Sequence, residues 1–377
     1  MSLKVALIEL RTVEPVVVVS KKGKSNFVDS LRYIPASSIL GAIARNFVLK
    51  NVANKIGMCS SISSPNEIPE CDVCHVNCNY RKIWVDRCRD EKGFGVKVSN
   101  AVSGKWDLDD PGLPCLLTAG EHRVSGYKRD LLLSLFVEHF ERETNSPNLL
   151  LKEGNTLDYK KKKFGYTGKL GDTDLEILQF GRVAISGRWR SSEKGYLYGF
   201  TAFTGKLRFI AVLPEEVLAD IGENLTVGAW KSRGLGLVEV KVLKEMDVEE
   251  YVERRTKAIV DGFKEIGKLL SSYIEGCYGT YTLLTDSLKN VDLGIKYSVH
   301  RVRRFKRFER RKDGAYFIVS DVVSMGSAGV FEVSDQEVES FAEKLAELEL
   351  KSDKPWFDWL FFNHPVHCRF SSLKEVA

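Results

Sequence analysis

The segment Gly228–Val240, with the sequence GAWKSRGLGLVEV, contains three glycines and continues into an alternating apolar run. Closely spaced glycines allow backbone conformations with positive φ, and the alternation is typical of a strand. Residues 214–223, just before it, are predicted to form a short helix. A Walker phosphate loop leads from a strand into a helix, which is the opposite order. The segment therefore predicts a tight turn that enters a strand.

The same turn carries groups that suit a phosphate. Glycines let backbone amides come close to an anion, and lysine and arginine side chains add positive charge. We interpret the turn as packed against the first helix of the chain, with its cations facing an RNA backbone. The predicted RNA-binding residues here are Lys231, Ser232, Arg233, Gly234 and Gly236.

The first helix is predicted within YIPASSILGAIARNFVLKN, residues 33–51, after a strand over residues 3–19. Ile39, Ile43 and Phe47 recur every four residues and define one apolar face of a helix. Ser37 is placed to act as the N-cap. Ser37 and Ser38 are also counted as RNA-binding candidates.

The order of elements predicts an α+β fold with two ferredoxin-like (RRM-like) domains. Over residues 1–247 the pattern is β–α–insertion–β–β–α–β, which matches a split βαβ unit. Its later strands are read between residues 177 and 213. Residues 248–377 contain a helix over 248–275, short strands from about 279 to 333, and a helix over 335–349. The domain boundary is placed near residues 246–250.

Residues 55–130 interrupt this regularity and are interpreted as a cysteine-rich insertion. A CxxC turn aims two thiolates at one point, which suits tetrahedral zinc. Unrelated loop cysteines are the alternative, and the fourth ligand stays open, with His75 a weaker choice than cysteine. A site closed by four thiolates would be structural, because it has no open position for water. The candidate zinc ligands are Cys59, Cys71, Cys74, Cys78 and Cys88.

The segment HRVRRFKRFERRKDG, residues 300–314, holds eight lysines and arginines against two acidic residues. On a strand, alternate side chains share a face, so arginine can pair with phosphates while phenylalanine stacks on unpaired bases. The alternative is a solvated strand edge whose charges prevent aggregation, but such an edge needs fewer than eight charges. Because no helix-turn-helix or basic zipper is present, single-stranded RNA is favoured over duplex DNA. The candidates are Arg301, Arg303, Arg304, Phe305 and Arg307.

Catalytic motifs are absent from the sequence, which has no Walker, GxSxG or HExxH pattern. His122 lies in the polar stretch GEHRVSGYK and is the candidate base for RNA cleavage. Asp29 is the candidate for binding a metal in such a reaction. Both residues also fit simple loop or turn positions, and His364 and His367 are expected to be structural.

The formal net charge of +5 is mild for 377 residues, so the clustering of the charge matters more than its sum. The first residues lack the long apolar core and cleavage site of a signal peptide, and no apolar run is long enough to cross a membrane. We therefore expect a cytoplasmic protein without a membrane partner, in which cysteines are thiols or metal ligands.

Several of these segments resemble motifs of CRISPR-associated RAMP proteins. YIPASSILGAIARNF resembles their segment at the start of the first helix, with Ala36 where glycine is usual. GAWKSRGLGLVEV is similar to their glycine-rich loop. LPCLLTAGEHRVSGYK and DVVSMGSAGVFEV resemble elements of the large type III subunits, in the same order along the chain.

The resemblance is greatest to the type III-D subunit that takes the role of binding the 5′ tag of the crRNA. It implies a non-catalytic role in antiviral defence, with crRNA, other RAMP subunits and the large polymerase-like subunit as partners. The alternative is a RAMP endoribonuclease for repeat processing or target cleavage. About 140 residues follow the glycine-rich loop here, whereas repeat-processing members carry that loop near the C-terminus. A zinc-stabilised RNA-binding protein outside CRISPR systems is a third interpretation.

Overall fold

The computed structural model describes residues 2–19, 27–52, 94–144, 156–171, 173–185, 192–288, 293–311, 314–334, 337–351 and 356–374. Each helix predicted above is confirmed within this part of the chain. The helices are α1 (Ala36–Val52), α2 (Leu132–Thr144), α3 (Glu215–Asp220), α4 (Val248–Leu270), α5 (Val338–Leu350) and α6 (Pro365–Arg369).

The strands form two main sheets, one in each half of the chain, together with several small ones. In the first half they are β1 (Leu3–Thr12), β2 (Phe27–Val28), β3 (Lys97–Val98), β4 (Val102–Ser103), β5 (Leu113–Leu116), β6 (Ala119–His122), β7 (Lys128–Asp130), β8 (Tyr159–Lys161), β9 (Phe164–Tyr166), β10 (Glu176–Ile185), β11 (Ser192–Thr204), β12 (Lys206–Pro214), β13 (Asn224–Thr226) and β14 (Leu237–Asp247). In the second half they are β15 (Cys277–Leu283), β16 (Ile295–Val299), β17 (Val302–Arg311), β18 (Gly314–Val323), β19 (Ala328–Val333) and β20 (Leu360–Phe362).

The first main sheet has the order β13–β14–β1–β12–β3, and β4 also pairs with β12. All of these pairings are antiparallel. When β3 and β4 are counted as one interrupted strand, the core strands β14, β1, β12 and β3–β4 lie side by side. Numbered along the chain, they are the fourth, first, third and second strands. This order is compatible with a ferredoxin-like unit.

The second strand of this sheet comes from residues 97–103, which the sequence pattern assigns to the insertion. That boundary is wrong, because Val98 and Ala101 are fully buried in the core of the sheet. A bulge explains why the pattern misses the strand. Ile210 exchanges two hydrogen bonds with Ser99, so β3 and β4 are too short to show alternation in the sequence.

The strands predicted between residues 177 and 204 are present but lie in a separate sheet. β10 and β11 form a long antiparallel hairpin, and β2 pairs with β11 in parallel. The hairpin is thus inserted between the second and third strands of the first main sheet.

The second main sheet has the order β16–β19–β15–β20 and is also antiparallel. Numbered within this half, the order is again fourth, first, third, second when read from β20. Another long hairpin, β17–β18, is inserted between the second and third strands. The chain differs from the standard unit in its helices: α4 precedes the first strand and packs against α5 and β15.

The two halves share a hydrophobic core, in which Val5 and Leu7 of β1 pack with Tyr251, Trp359 and Phe361. Beside it lies a buried polar network centred on Glu349, which is fully buried. Its members connect α4, α5 and β3. They are the Arg255 guanidinium at 2.8 and 2.9 Å from the two carboxylate oxygens, the Tyr251 hydroxyl at 3.2 Å, and the Lys97 ammonium on the Glu349 carbonyl at 2.6 Å.

Lys97 links the halves through hydrogen bonds at the C-terminal end of α5. Its ammonium donates to the carbonyl oxygens of Glu349 and Lys351, the second at 3.0 Å. Burial lowers the pKa of Lys97 to about 7, against the opposing effect of Asp358 and Glu349. Helix C-terminal carbonyls lack partners within the helix, so a buried lysine satisfies them here.

The five candidate zinc ligands lie outside the described residues, so their arrangement stays a prediction. Within the described ranges, no group of three or more His, Cys, Asp and Glu side chains could hold a metal ion. The cysteines within the described residues are Cys115 and Cys277, which are partly buried, and Cys368, which is buried. No helix in the described part of the chain is long and apolar enough to span a bilayer.

We predict that Glu349→Ala destabilises the protein by about 3–5 kcal/mol, because it leaves the buried Arg255 without its counter-ion. Glu347→Ala on the same helix is the control. Glu347 pairs with Lys351 at the surface, and we expect its loss to cost less than about 1 kcal/mol. Urea unfolding measures both, and equal costs for the two variants would contradict the role given to the network.

Candidate nucleic-acid interface

The loop Gly228–Gly236 depends on glycine at defined positions. Gly228, Gly234 and Gly236 have φ values of 82°, 71° and 89°, a region that suits glycine. A Cβ atom on Gly228 would lie 2.4 Å from the Val17 carbonyl oxygen, and one on Gly236 would lie 2.1 Å from that of Val227. Two of the three glycines are therefore required by close backbone contacts as well as by φ.

Backbone amides of this loop already bind the chain itself. The Ala229 amide donates to the Val17 carbonyl at 2.8 Å, and the Gly236 amide donates to the Pro15 carbonyl at 3.0 Å. The Gly234 amide donates to the Lys231 carbonyl at 3.3 Å. The Gly234 and Gly236 amides are thus engaged inside the fold rather than directed at an anion.

Trp230 fixes the orientation of the loop against the β10–β11 hairpin. It adopts the left-handed conformation, with φ of 57°, which is uncommon for a residue with a side chain. Its ring packs edge-on against Phe200, with centroids 4.4 Å apart, and Phe200 stacks on Phe180 at 5.0 Å. This aromatic packing holds residues 231–233, which form a single 3₁₀ turn, on the side of the loop that meets α1.

A cleft of about 530 Å³ lies between this turn, α1 and β13. Arg45 of α1 and Lys231 of the loop place two cations on it. Burial, and secondarily the Arg45 charge, lowers the pKa of Lys231. Two neighbouring cations repel each other, and this repulsion favours the binding of an anion between them. The cleft is lined by Ala42, Arg45, Asn46, Asn224, Leu225, Thr226, Lys231 and Ser232.

This cleft brings together some predicted residues and adds one that the sequence analysis misses. Lys231 and Ser232 line it, and the predicted packing of the loop beside the first helix is confirmed. Arg45 is not among the sequence candidates. The helical spacing of Ala42, Arg45 and Asn46 could have indicated it, because residues three and four apart share a face.

The first turn of α1 differs from its prediction. The helix begins at Ala36, so Ser37 lies inside it and is not the N-cap. The Ala36 amide instead donates to the Asn100 side chain at 2.9 Å, which supplies the cap from the second strand. Ser37 is exposed and Ser38 is half-buried, and neither lines the cleft.

The predicted basic run forms β17 and the residues just before it. Arg301, Arg303 and Arg304 are exposed. Arg303 forms an ion pair with Asp286, and Arg304 lies opposite Asp321 in the hairpin register. Arg307 lies farther along the strand, opposite Ile318.

Phe305 is expected from the sequence to be available for stacking on bases, but its ring is half-buried. It packs edge-on against the buried Phe357, with centroids 5.2 Å apart. Phe305 and Arg303 are alternate residues of one strand and share a face, as predicted. Both make contacts with the body of the protein, so this face anchors the root of the hairpin.

The start of α1 and the root of the second hairpin are neighbours. Burial, and then the Asp286 carboxylate, raises the pKa of Tyr33 to about 12, while Arg303 opposes the shift. The Asn100 side chain that caps α1 also donates to the Leu284 carbonyl at 2.8 Å. Two segments with RNA-binding candidates, far apart in sequence, therefore meet where the halves join.

The two candidate catalytic residues each hold a local structure. The His122 Nδ1 atom accepts a hydrogen bond from the Ser125 amide at 3.0 Å, which closes the turn between β6 and β7. Asp29 accepts a hydrogen bond from the Thr201 hydroxyl at 2.7 Å, which ties the segment after β2 to β11. These contacts suit the turn and loop roles that the sequence also allows.

His367 joins Asp130 and Thr282 in a group whose residue types match those of a hydrolytic triad. Its Nδ1 atom lies 2.9 Å from Asp130 and its Nε2 atom 2.6 Å from the Thr282 hydroxyl. All three side chains are almost completely buried. Since a nucleophile must reach its substrate, we assign this group a structural role, as expected for His367.

We predict that Gly236→Ala destabilises the protein more than Gly234→Ala. Both positions have positive φ, which costs an alanine about 1–2 kcal/mol. Only at Gly236 would the added Cβ collide with backbone, since it meets nothing within 4 Å at Gly234. Thermal and urea unfolding give the comparison. A Gly236→Ala variant as stable as Gly234→Ala would show that the loop relaxes around the contact.

No protein family model and no curated protein matches the chain. Solved structures do match over most of its length. One is a chain of the type III-B Cmr-beta complex bound to cognate target RNA and AMPPnP, with 11% identity, a TM-score of 0.42, and 90% of this chain and 93% of that chain covered.

Two further matches come from related complexes. One is a chain of the Csm1–Csm4 cassette with AMPPNP, with 12% identity, a TM-score of 0.33, and coverage of 87% and 88%. The other is a chain of the Csm3–Csm4 subcomplex of the type III-A CRISPR-Cas interference complex, with 11% identity, a TM-score of 0.30, and coverage of 89% and 96%. The chain is thus similar to subunits of type III CRISPR complexes, and at these TM-scores the likeness assigns no site.

Proposed function

We propose that this protein is a non-catalytic RNA-binding RAMP subunit of a type III CRISPR effector complex. The observation that carries the proposal is the cleft between α1 and the glycine-rich loop. The two sequence segments that resemble RAMP motifs lie almost 200 residues apart, and they line the same cleft. Arg45 and Lys231 supply its charge.

The chemistry of the cleft fits the backbone of a single RNA strand. Arginine and lysine bind phosphate oxygens, and Ser232, Thr226 and the two asparagines can bind phosphate or ribose groups. Burial and the Arg45 charge both lower the pKa of Lys231, so they disfavour its protonated form. A bound phosphate would favour that form again and relieve the repulsion between Lys231 and Arg45.

Within this framework we propose that the RNA is crRNA and that the bound part is its 5′ tag. The proposed protein partners are other RAMP subunits and the large polymerase-like subunit, and the proposed setting is antiviral defence in the cytoplasm. The order of the RAMP-like segments along the chain supports the proposed RNA and the proposed protein partners. The basic residues Arg301, Arg303 and Arg304 would extend the contact from the cleft toward the second half.

We predict that replacing Arg45 and Lys231 together by alanine weakens binding of a repeat-derived tag RNA. For a single-stranded RNA, each lost phosphate contact should make the slope of log K against log salt concentration less steep by about 0.7. Filter binding at several salt concentrations measures both effects. Replacing Arg301, Arg303 and Arg304 by alanine should act in the same direction.

The control is Lys257→Ala with Lys264→Ala, two exposed lysines of α4 that pair with acidic neighbours. This control should bind like the unchanged protein. Equal, weak affinity for any anionic polymer would contradict tag recognition. The labelled RNA is also run on a denaturing gel, with and without magnesium. Cleavage that is lost in His122→Ala or Asp29→Ala would contradict the non-catalytic assignment and support the endoribonuclease alternative.

We also propose a structural zinc ion held by the cysteine segment 59–88. We predict that the purified protein contains zinc in equimolar amount and that Cys71→Ser with Cys74→Ser removes it, because thiolates supply the ligands. Elemental analysis measures the metal, with Cys277→Ser as the control outside the segment. A protein free of zinc after purification without chelators would contradict the proposal.

A further inference from the structure

The β6–β8 region carries a dense positive charge apart from the second hairpin. We call residues 119–130 and 156–171 the lysine sheet, since β7, β6 and β8 form one antiparallel sheet there. These residues include eight lysines and arginines and only three acidic residues. The surplus equals the formal net charge of +5 for the whole chain.

The cations of the lysine sheet lie at the surface and close to one another. Lys160, Lys161 and Lys163 are exposed, while Lys162 forms an ion pair with Glu121. The pKa of Glu121 is lowered chiefly by its hydrogen bond to Lys162 and also by the charges of Lys128 and Lys160. A single carboxylate thus faces several lysines, and like charges at this spacing repel.

Of the other two acidic residues, Asp130 cannot offset this charge at the surface, because its side chain is buried and bound to His367. Aromatic rings lie among the cations. The ammonium groups of Lys128 and Lys162 lie 5.3 and 5.9 Å from the ring centre of Phe164, and Tyr127 in the β6–β7 turn is 58% exposed. Cations beside accessible rings are typical of surfaces that bind single-stranded nucleic acid.

The lysine sheet adjoins the second hairpin. β5 pairs with β9, and the Leu117 amide donates to the Gly326 carbonyl at 3.0 Å, which fixes this region against the second half. Burial raises the pKa of the Cys115 thiol, and the nearby charges of Lys163 and Arg301 oppose that shift. The basic residues Lys163 and Arg301 therefore both lie near Cys115, where the lysine sheet meets the second half.

We propose that the lysine sheet is a second contact surface for single-stranded RNA, which continues from the hairpin root over Lys160, Lys161 and Lys163. The inference rests on the proposed function and extends it to Lys160, Lys161 and Lys163, which are not among the RNA-binding residues expected from the sequence. RNA is favoured over an acidic protein because aromatic rings lie among the cations, namely the exposed Tyr127 and the lysine-flanked Phe164.

The test is the triple variant Lys160→Ala, Lys161→Ala and Lys163→Ala, which leaves the Lys162–Glu121 pair intact. Lys257→Ala, Lys264→Ala and Lys268→Ala, on the exposed side of α4, form the matched control. Fluorescence anisotropy with a single-stranded RNA that carries the tag and a guide is measured over a range of salt concentrations. We expect the triple variant to bind more weakly and its salt slope to fall by about 2, while the control is unchanged.

The Arg45→Ala, Lys231→Ala variant is measured in parallel, so that the two ideas fail separately. This inference is overturned if the cleft variant loses affinity while the lysine-sheet variant keeps both the affinity and the slope of the unchanged protein. Binding of an acidic protein to the lysine sheet would overturn it as well. If the lysine-sheet variant alone loses affinity, the inference stands and the cleft fails. RNA binding absent from the unchanged protein would overturn both.

Discussion

The buried polar network centred on the Arg255–Glu349 ion pair joins the two halves of the chain through Lys97. Removing two charges from water is costly, and the cost is met only when every polar atom finds a partner. Here the Glu349 carboxylate binds Arg255, Tyr251 and the Phe362 amide, while its carbonyl accepts from Lys97. Because Lys97 belongs to the first sheet and the other groups to the second half, the network fixes one sheet against the other.

The fixed arrangement has a functional consequence. Asn100, three residues after Lys97, caps α1 and also binds the Leu284 carbonyl of the second half. The same short, bulged strand thus contacts both the start of α1 and the segment that follows β15. The start of α1 and the root of the second hairpin therefore meet where the halves join, although the sequence separates them widely.

The two halves also repeat a local plan. In each, a long hairpin is inserted between the second and third strands of a sheet with the same order. In each, an aromatic residue from the loop before the last strand packs edge-on against that hairpin. These pairs are Trp230 with Phe200 and Phe357 with Phe305. In the first half, the residue after Trp230 is the cation Lys231, which faces the cleft. In the second half, the cation Arg303 is paired with the carboxylate of Asp286. The plan is shared, and the cleft with two cations belongs to the first half.

Sequence periodicity by itself predicted α1, α4, α5 and the strands β10 and β11, and the glycines predicted the turn at 228–236, because each is a local pattern several residues long. It also placed Lys231 and Ser232 beside the first helix through resemblance to known motifs. It could not find the strand at 97–103, whose bulge removes the alternation, nor the N-cap of α1, which comes from Asn100 more than sixty residues away. The packing of Phe305 against Phe357 and the positions of Lys163 and Arg301 near Cys115 were decided by the tertiary structure alone. Each depends on contacts between segments far apart in the sequence, and a local pattern of residues does not contain that information.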